Sequence, residues 1–412
     1  MYEWLIVGGG IHGTILSLAL TTRGGVDRDD LCIVDPNPEP LAMWRTHTRA
    51  CGMKFLRSPG SHSVEPDFAA LRRWAAARGY GAADFILPYF RPSLRLFEAH
   101  SSHVVARHRL AGLMRTDRVV AVVPDDGALS VVCESGERVA SHRVVLAVGR
   151  TERQRIPGWA NGLGARVRHV FGAPHSPISS WAKGRVVVVG GGITAAQCAI
   201  SCVEEGASVD SVVMVSPHDL RVSLFDSEPC YIGPRCLPGF LALPTVEEKQ
   251  AELRRVRYPG SVPPYVAGEL AAKESTGGVE RVVGNVDSVT TGDPMVMSLS
   301  DGRRIQADTI VLATGFERSV PAPSLIARIA DAFDAATDER GYPVPNLDLE
   351  WAGSHTGVVY VTGVLGELAL GPTAGNIIGA HSAGRRLIAG SGSRLPWTWG
   401  SAVSLASSRR KF

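Results

Sequence analysis

The sequence lacks three features that would assign it at once to a broad class. None of its seven cysteines forms a C-x-x-C motif, no run of 18 uninterrupted apolar residues occurs, and neither sign of charge dominates. Lys and Arg total 43 against 40 Asp and Glu, for a net charge of +3. We therefore expect no nucleic-acid partner, and without a long apolar run we expect no membrane span.

The first residues predict a strand rather than a targeting segment. The apolar run Trp4–Val7 has no basic segment before it and is shorter than a secretory leader. We expect a cytoplasmic protein with reduced, mostly buried cysteines. Two cysteine pairs are close in sequence, Cys198 with Cys202 and Cys230 with Cys236, but neither has the spacing of a redox-active dithiol. We expect both pairs to be inert.

A glycine-rich loop follows the first predicted strand. Gly8, Gly10 and Gly13 form a G-x-G-x-x-G motif before a predicted helix, and Asp35 ends the next apolar run. Such glycines permit a tight turn, the approach of a pyrophosphate and close helix packing, and the carboxylate accepts from ribose hydroxyls. The motif therefore predicts a dinucleotide site. The predicted contacts are Gly8, Gly10, Ile11, His12, Gly13, Asp35 and Pro36.

The same pattern restarts after Arg185. Gly190-x-Gly192-x-x-Ala195 follows four valines, and Ser216 stands where an NAD-specific site carries an acid. Ser216 with His218 and Arg221 suits a 2′-phosphate, so we predict NADPH over NADH. The predicted contacts are Gly190, Gly192, Ile193, Thr194, Ala195, Ser216 and Arg221.

These repeats predict an α/β fold with two Rossmann-like dinucleotide-binding domains of the three-layer ββα type. Each unit contains a β-rich meander, at 119–140 and 280–301, and closes on a strand that ends in glycine. We assign the first loop to FAD and the second to NADPH. The NADPH domain (161–320) would be inserted into the FAD domain, which comprises 1–160 and a return segment, 321–412. The Pro-rich stretch 221–275 is expected to be an irregular insertion over a site.

Two dinucleotide sites in one chain imply that electrons pass from a nicotinamide to a flavin. Because no C-x-x-C dithiol is present to accept them next, molecular oxygen is the leading acceptor. The predicted cofactors are therefore FAD and NADPH, and the predicted partners are a small-molecule substrate and O2. No metal site is expected.

These motifs resemble the class B flavin monooxygenases, which have two dinucleotide-binding domains. Within that group, Gly190–Gln197 is similar to the G-G-G-x-S-A-A-E loop of the lysine and ornithine N-hydroxylases of siderophore biosynthesis, and His175-Ser176 matches their His-Ser element. Trp44 and the run Met53–Arg57 resemble their W-H…M-Q-x-x-F-L-K-D segment, which lines flavin and substrate. This run is two residues shorter, and the family's glutamine and lysine appear as Lys54 and Arg57.

The resemblance implies that NADPH reduces the flavin, which forms a C4a-hydroperoxide with oxygen and transfers one oxygen atom to an amine. Arg57 would anchor a substrate carboxylate or phosphate, and Lys54 would contact the flavin or nicotinamide. Arg91, Asp226 and Glu228 are weaker candidates, the two carboxylates for a substrate ammonium. Further cofactor contacts are predicted at Trp44, Met53, Gly149, Thr314, Gly315, Gly363, Gly371, Pro372, Asn376 and Ile377.

The leading interpretation is N-hydroxylation of a small amino acid or related amine. Two alternatives stay open: a class B monooxygenase acting on sulfur or a ketone carbon, and a flavin NADPH oxidase or reductase. The substrate and any homo-oligomeric assembly are also left open.

Overall fold

The computed structural model describes residues 1–150, 153–354 and 357–390. The strands, in chain order, are β1 (Tyr2–Val7), β2 (Leu31–Asp35), β3 (Phe85–Ile86), β4 (Arg91–Pro92), β5 (Met114–Thr116), β6 (Val119–Asp125), β7 (Ala128–Cys133), β8 (Arg138–Leu146), β9 (Val167–His169), β10 (Gly184–Val189), β11 (Val209–Ser216), β12 (Val279–Val283), β13 (Val286–Thr290), β14 (Met295–Leu299), β15 (Arg304–Ala307), β16 (Thr309–Leu312), β17 (Glu350–Ser354) and β18 (Gly357–Val361). The helices are α1 (Ile11–Thr22), α2 (Ala42–Ala50), α3 (Ala70–Ala76), α4 (Leu94–Arg107), α5 (Ile193–Glu205), α6 (Leu237–Leu241), α7 (Val246–Val256), α8 (Pro264–Ser275), α9 (Pro323–Phe333), α10 (Glu367–Leu370) and α11 (Ile377–Gly390). Within these ranges no helix combines the length and apolar character that a membrane crossing requires.

The first sheet combines strands from both ends of the chain. Its order is β17-β18-β8-β1-β2-β5, and β7 and β6 continue antiparallel from β8. Leu5 of β1 lies opposite Cys32 of β2 and Val144 of β8 in parallel register. Because successive side chains of a strand point to opposite faces, Trp4 and Ile6 pack with α1 and α11, whereas Leu5 packs with β6, β7 and α9. The result is three layers: helices, parallel sheet and antiparallel ribbon.

The second sheet repeats this arrangement. Its strands are all parallel, in the order β12-β11-β10-β16-β9. Val186 and Val188 of β10 pack with α5 and α8, whereas Val187 and Val189 pack with the separate antiparallel sheet β13-β14-β15. The predicted fold class, two Rossmann-like ββα units, is confirmed.

The chain order shows the insertion of one unit into the other. Strands β9 to β16 form the second unit, and they lie in sequence between β8 and β17, which both belong to the first sheet. The boundaries at residues 160 and 320 stay predictions. Of the predicted return segment, residues 391–412 lie outside the described residues.

Two details of the second unit were predicted wrongly. The stretch 221–275 was expected to be irregular, but it contains α6, α7 and α8. Helix α7 begins with a capping box, in which Glu248 N donates to Thr245 Oγ1 at 3.1 Å and Thr245 N donates to the Glu248 carboxylate at 3.2 Å. Residues 280–283 were assigned to the meander, but they belong to β12, which extends the parallel sheet from β11.

The expectation that every cysteine is reduced is also wrong. Cys230 and Cys236 form a disulfide, because the 3₁₀ turn Pro229–Ile232 and the start of α6 bring their Cα atoms within 5.3 Å. The other close pair agrees with expectation, since Cys198 and Cys202 are buried free thiols. Burial raises the pKa of Cys202 to about 12, which keeps its thiol protonated and unreactive.

We expect the double variant Cys230→Ser/Cys236→Ser to unfold at lower denaturant concentration than the wild type. A disulfide that closes so short a loop stabilises by about 2 kcal/mol through the entropy of the unfolded chain. Denaturant unfolding followed by circular dichroism measures the difference. A thiol reductant should shift the wild type toward the variant and leave the variant unchanged; a wild type insensitive to reductant would contradict the assignment.

Candidate functional site

The first glycine loop leaves an open space in front of helix α1. Gly8 has a φ of +108°, and a Cβ there would lie 2.7 Å from the Ala147 carbonyl oxygen. A Cβ on Gly13 would lie 1.8 Å from the Gly8 carbonyl oxygen, so both glycines are required by the fold itself. Gly10 differs: its φ is −71°, and apart from its chain neighbours no atom of the described residues lies within 4 Å of its Cβ position. This space, at the free N–H groups of a helix N-terminus, fits a pyrophosphate.

Asp35 is positioned beside this loop at the end of β2. One carboxylate oxygen accepts from Gly9 N at 2.7 Å, and the other accepts from Asn37 N at 2.7 Å and from Asn37 Nδ2 at 2.9 Å. Two ionised oxygens offer about four acceptor positions in all, so acceptor capacity remains for ribose hydroxyls. Pro36 is exposed in the turn that follows.

His12 connects the glycine loop to the return segment. Its Nδ1 lies 3.0 Å from Thr362 Oγ1, and the ring lies 3.8 Å from the Cβ position of Gly363. Burial lowers the pKa of His12 to about 4, and interaction with the backbones of Gly375 and Asn376 raises it only in part. The ring is therefore neutral at pH 7. Its Nε2 is buried without a hydrogen-bond partner among the described residues. A buried polar atom of this kind is normally satisfied, and a bound FAD would satisfy it here.

The turn before α11 brings the return segment to the same place. Gly371 has a φ of +81°, and a Cβ there would lie 2.8 Å from the Leu237 side chain, so only glycine fits. Pro372 follows, and its carbonyl oxygen accepts from the Arg257 guanidinium at 3.2 Å. Asn376 then precedes Ile377, the first residue of α11. The predicted glycine turn into a helix is present, with the helix N-terminus beside His12.

Three other predicted cofactor contacts lie where the chain crosses between the two units. Gly149 is exposed after β8, Thr314 Oγ1 donates to the Arg155 carbonyl, and Gly315 accepts from Arg155 N at 2.9 Å. Two more, Trp44 and Met53, pack against the first core; the Trp44 ring lies 5.0 Å from the Phe97 ring. These positions stay predictions as cofactor contacts.

The proposed substrate anchor, Arg57, is engaged with the protein itself. Its Nε donates to the Leu224 carbonyl at 3.2 Å, and its Nη atoms donate to Ser223 O at 2.7 Å, Ser261 O at 3.2 Å and Ser261 Oγ at 3.0 Å. A carboxylate needs a pair of these donors to bind bidentately. In this structure the Arg57 guanidinium instead joins the insertion 221–275 to the first unit. Its role as a substrate anchor stays a prediction, which would require these bonds to be exchanged.

Lys54 is likewise engaged between the units. Its Nζ forms ion pairs with Glu204 of α5 and Glu269 of α8. Burial opposes its charge, but the two carboxylates prevail and raise the pKa of Lys54. A role in contacting flavin or nicotinamide would require Lys54 to leave these partners.

The second glycine loop, like the first, requires glycine at its first position, but another segment of the chain packs against it. Gly190 has a φ of +154°, and a Cβ there would lie 2.4 Å from the Ala313 carbonyl oxygen. The Cβ position of Gly192 lies 3.4 Å from Gly260 Cα, so the insertion covers this loop. Ile193, Thr194 and Ala195 then form the first turn of α5.

Beyond β11, the region expected to receive a 2′-phosphate contains the exposed Arg221. Ser216 Oγ donates to the His218 carbonyl at 2.7 Å, which fixes the turn, and the His218 ring lies over Gly191. Arg221 is exposed, and its guanidinium has no hydrogen bond or ion pair to any residue that the structure describes. It is therefore available to a phosphate.

The sequence did not predict an aromatic cluster that joins the two units. The rings of Phe171 and Phe316 stack at 5.3 Å, and His47 of α2 lies 4.7 Å from Phe171. Burial lowers the pKa of both His47 and His169 to about 4, so the cluster is uncharged at pH 7. No local spacing links these residues, which come from three separate segments.

Two ββα dinucleotide-binding units, each opening on a glycine loop, define the fold of the flavoproteins that bind two dinucleotides. The family described as FAD-NAD(P)-binding matches residues 5–151, and the pyridine nucleotide-disulphide oxidoreductase family matches residues 86–228. No curated protein matches the chain at a significant level.

Solved structures share this fold over nearly their whole length. The ornithine hydroxylase of Pseudomonas aeruginosa is 17% identical, with a TM-score of 0.73, over 94% of this chain and 98% of that one. The L-lysine 6-monooxygenase of Pseudomonas syringae is 16% identical (TM-score 0.70; 95% and 99% covered). The cadaverine monooxygenase of Erwinia amylovora, solved with FAD bound, is 16% identical (TM-score 0.72; 100% of both). These likenesses confirm the predicted fold.

We expect Gly10→Val to fold normally and lose FAD. Because Gly10 has an ordinary φ and its Cβ position is empty, valine fits the protein but occupies the pyrophosphate space. Flavin absorbance per protein should fall about tenfold or more, since each 1.4 kcal/mol is tenfold in affinity. Gly158→Val, at another uncrowded glycine, is the matched control. Full flavin content in Gly10→Val would contradict the assignment of this loop.

Proposed function

We propose that the protein is a FAD-dependent, NADPH-consuming monooxygenase that hydroxylates the amine nitrogen of a small amino acid or related amine. The observation that carries the proposal is the convergence of three elements at one place: the open space at Gly10, the unpartnered Nε2 of His12 and the N-terminus of α11. The likeness to proteins named as ornithine, lysine and cadaverine hydroxylases supports the choice of reaction.

The residues present fit FAD. The α1 N-terminus and Gly10 would hold the pyrophosphate, Asp35 the adenosine ribose, and His12 a polar group between them and the return segment. The N-terminus of α11, with its positive end, would stabilise negative charge on the reduced ring. When bound, FAD supplies the redox chemistry by accepting a hydride and activating oxygen.

The chain's own contribution is binding, orientation and exclusion of water. Arg57 fastens residues 223–224 and 261 to the first unit, and we infer that this segment helps to exclude water from the candidate site. The reaction would be amine + O2 + NADPH + H⁺ → hydroxylamine + NADP⁺ + H2O. The Cys230–Cys236 disulfide packs in a cluster with Tyr231, Phe240 and Leu253, and this cluster reaches Gly371 through Leu237. The proposed reaction uses O2, not this disulfide, as the electron acceptor.

In the presence of a suitable amine, we expect one hydroxylamine formed per NADPH oxidised, with its oxygen derived from O2. Mass spectrometry of the product made under ¹⁸O2, together with NADPH and peroxide measured in the same samples, tests this. An anaerobic sample is the control and should oxidise NADPH only up to the amount of bound flavin. Peroxide equal to NADPH with every amine, sulfide and ketone offered would favour the oxidase alternative.

We expect Arg221→Ala to raise KM for NADPH roughly ten- to hundred-fold and to leave KM for NADH unchanged. One charge-assisted contact to a 2′-phosphate contributes about 1.5–3 kcal/mol, and NADH has no such group. Arg235→Ala removes an equally exposed arginine of the insertion and serves as control. The same loss with both nucleotides would place Arg221 away from the 2′-phosphate.

A further inference from the structure

Arg91 is a buried cation without a counter-ion. It forms strand β4 with Pro92, it is fully buried, and both of its Nη atoms lack a hydrogen-bond partner among the described residues. Its Nε is engaged and donates to the Arg57 carbonyl at 3.0 Å. Burial lowers the pKa of Arg91, and the groups that oppose this shift are two tyrosine hydroxyls rather than a carboxylate. Because an unpaired buried charge is unfavourable, this position favours the binding of an anion.

The charged groups around Arg91 do not supply that anion. Arg57 is a second cation, which the charge of Arg91 repels, and its own donors are taken by oxygens of the insertion. The charge of Asp226 acts on Arg57, and its Oδ1 accepts from Asn376 Nδ2 at 3.3 Å. Glu228 is bonded to a tyrosine hydroxyl. Two guanidinium groups thus share one nearby carboxylate, and the two free Nη atoms belong to Arg91.

Two aromatic rings cover the Arg91 guanidinium. The centroids of the Tyr89 and Phe225 rings lie 5.0 and 5.4 Å from its Cζ, and the two rings lie 5.4 Å apart. Cation–π contacts stabilise the charge, but they give the Nη atoms no acceptor. The backbone here is fixed, because Gly60 N donates to the Tyr89 carbonyl at 3.1 Å, whereas Tyr89 itself is 44% exposed. A turn of this exposed side chain, with no change in the backbone, would uncover the guanidinium on that side.

Arg91 is connected to two segments of the candidate flavin site. The carbonyl that accepts from its Nε belongs to the 53–57 run, which resembles the segment that lines flavin and substrate. Phe225, which covers the guanidinium, is followed by Asp226, and that residue is bonded to Asn376 immediately before α11. An anion on Arg91 would therefore lie beside the residues that border the candidate site.

We propose that Arg91, and not Arg57, binds the carboxylate of the substrate, so that the site selects an amino acid over an amine without a carboxylate. This rests on the proposed N-hydroxylation. Two neighbouring Nη atoms donate in parallel to the two oxygens of one carboxylate, which is the counter-ion that the buried charge lacks. Arg57 is then a positioning residue, since its carbonyl fixes Arg91 Nε and its guanidinium holds the insertion. The side-chain nitrogen of the bound amino acid takes one oxygen atom of O2, NADPH supplies two electrons, and the second oxygen atom leaves as water.

The experiment compares L-ornithine and L-lysine with their amides, in which the carboxylate is replaced by an uncharged group. In calorimetric titration of oxidised wild-type holoenzyme, at least one of the two acids should bind roughly ten- to hundred-fold more tightly than its amide, the range of a charge-assisted contact. The values of kcat/KM for hydroxylamine formation should show the same preference. Equal binding of acid and amide for both compounds would overturn the inference.

Arg91→Gln should weaken binding of the preferred acid by the same factor and leave binding of its amide unchanged. Arg91→Lys keeps the charge without the paired donors and should recover part of the loss; it carries the test if Arg91→Gln does not fold. Arg95→Gln is the matched control, because it removes an exposed arginine of the following helix that pairs with Asp84. This control should retain the wild-type preference for the acid.

The flavin content and the KM for NADPH of each Arg91 variant distinguish a substrate carboxylate from a cofactor phosphate. If Arg91→Gln loses flavin or raises KM for NADPH while its affinity for the acid is unchanged, the anion belongs to a cofactor and the inference is wrong. An acid that binds through Arg91 but is never hydroxylated would overturn the proposed function alone. Hydroxylation of acid and amide with equal kcat/KM would overturn only the role of Arg91.

Discussion

The hydrogen bonds of the Arg57 guanidinium fix the geometry of the whole candidate site. They join the first unit to backbone oxygens at 223, 224 and 261, which belong to the second unit's insertion. Hydrogen bonds to a charged group contribute about 1.5–3 kcal/mol each, and burial lowers the pKa of Arg57 while the charge of Asp226 opposes the shift. Leaving this cation without its acceptors would cost more than the bonds contribute, because an unpaired buried charge is unfavourable. The insertion is therefore held where Asp226 reaches Asn376.

The same contacts show which features could be read from the sequence. The glycine loops, Asp35 and the turn at Gly371 were predictable because their requirements are local: a positive φ, a close backbone approach, or a carboxylate at a strand end. The crowding at Gly8 and Gly190 comes from the carbonyls of Ala147 and Ala313, which follow β8 and β16, the strands that pair with β1 and β10.

The surroundings of Arg57 could not be predicted because they depend on residues far apart in the chain, whereas two other missed features are local. Arg57 has a chemical type that suits a substrate carboxylate, and only the fold shows that its donors are taken by residues more than 160 positions away. The helices of the insertion were not predicted because this segment is rich in proline. Two local patterns do indicate them: the capping box at Thr245 and Glu248, and the proline at the start of α8. The Cys230–Cys236 bond depends on a 3₁₀ turn that no spacing rule for dithiols describes.

The two glycine loops differ in what packs against them. No described atom lies within 4 Å of the Gly10 Cβ position, whereas that of Gly192 faces Gly260 at 3.4 Å. A phosphate that approached Gly192 closely would share its space with the segment 258–261. That segment also carries Ser261, a partner of Arg57, and Tyr258, which holds the Asp226 carbonyl. The segment that packs against the second glycine loop is therefore the same one that holds the Arg57 guanidinium and the Asp226 carbonyl.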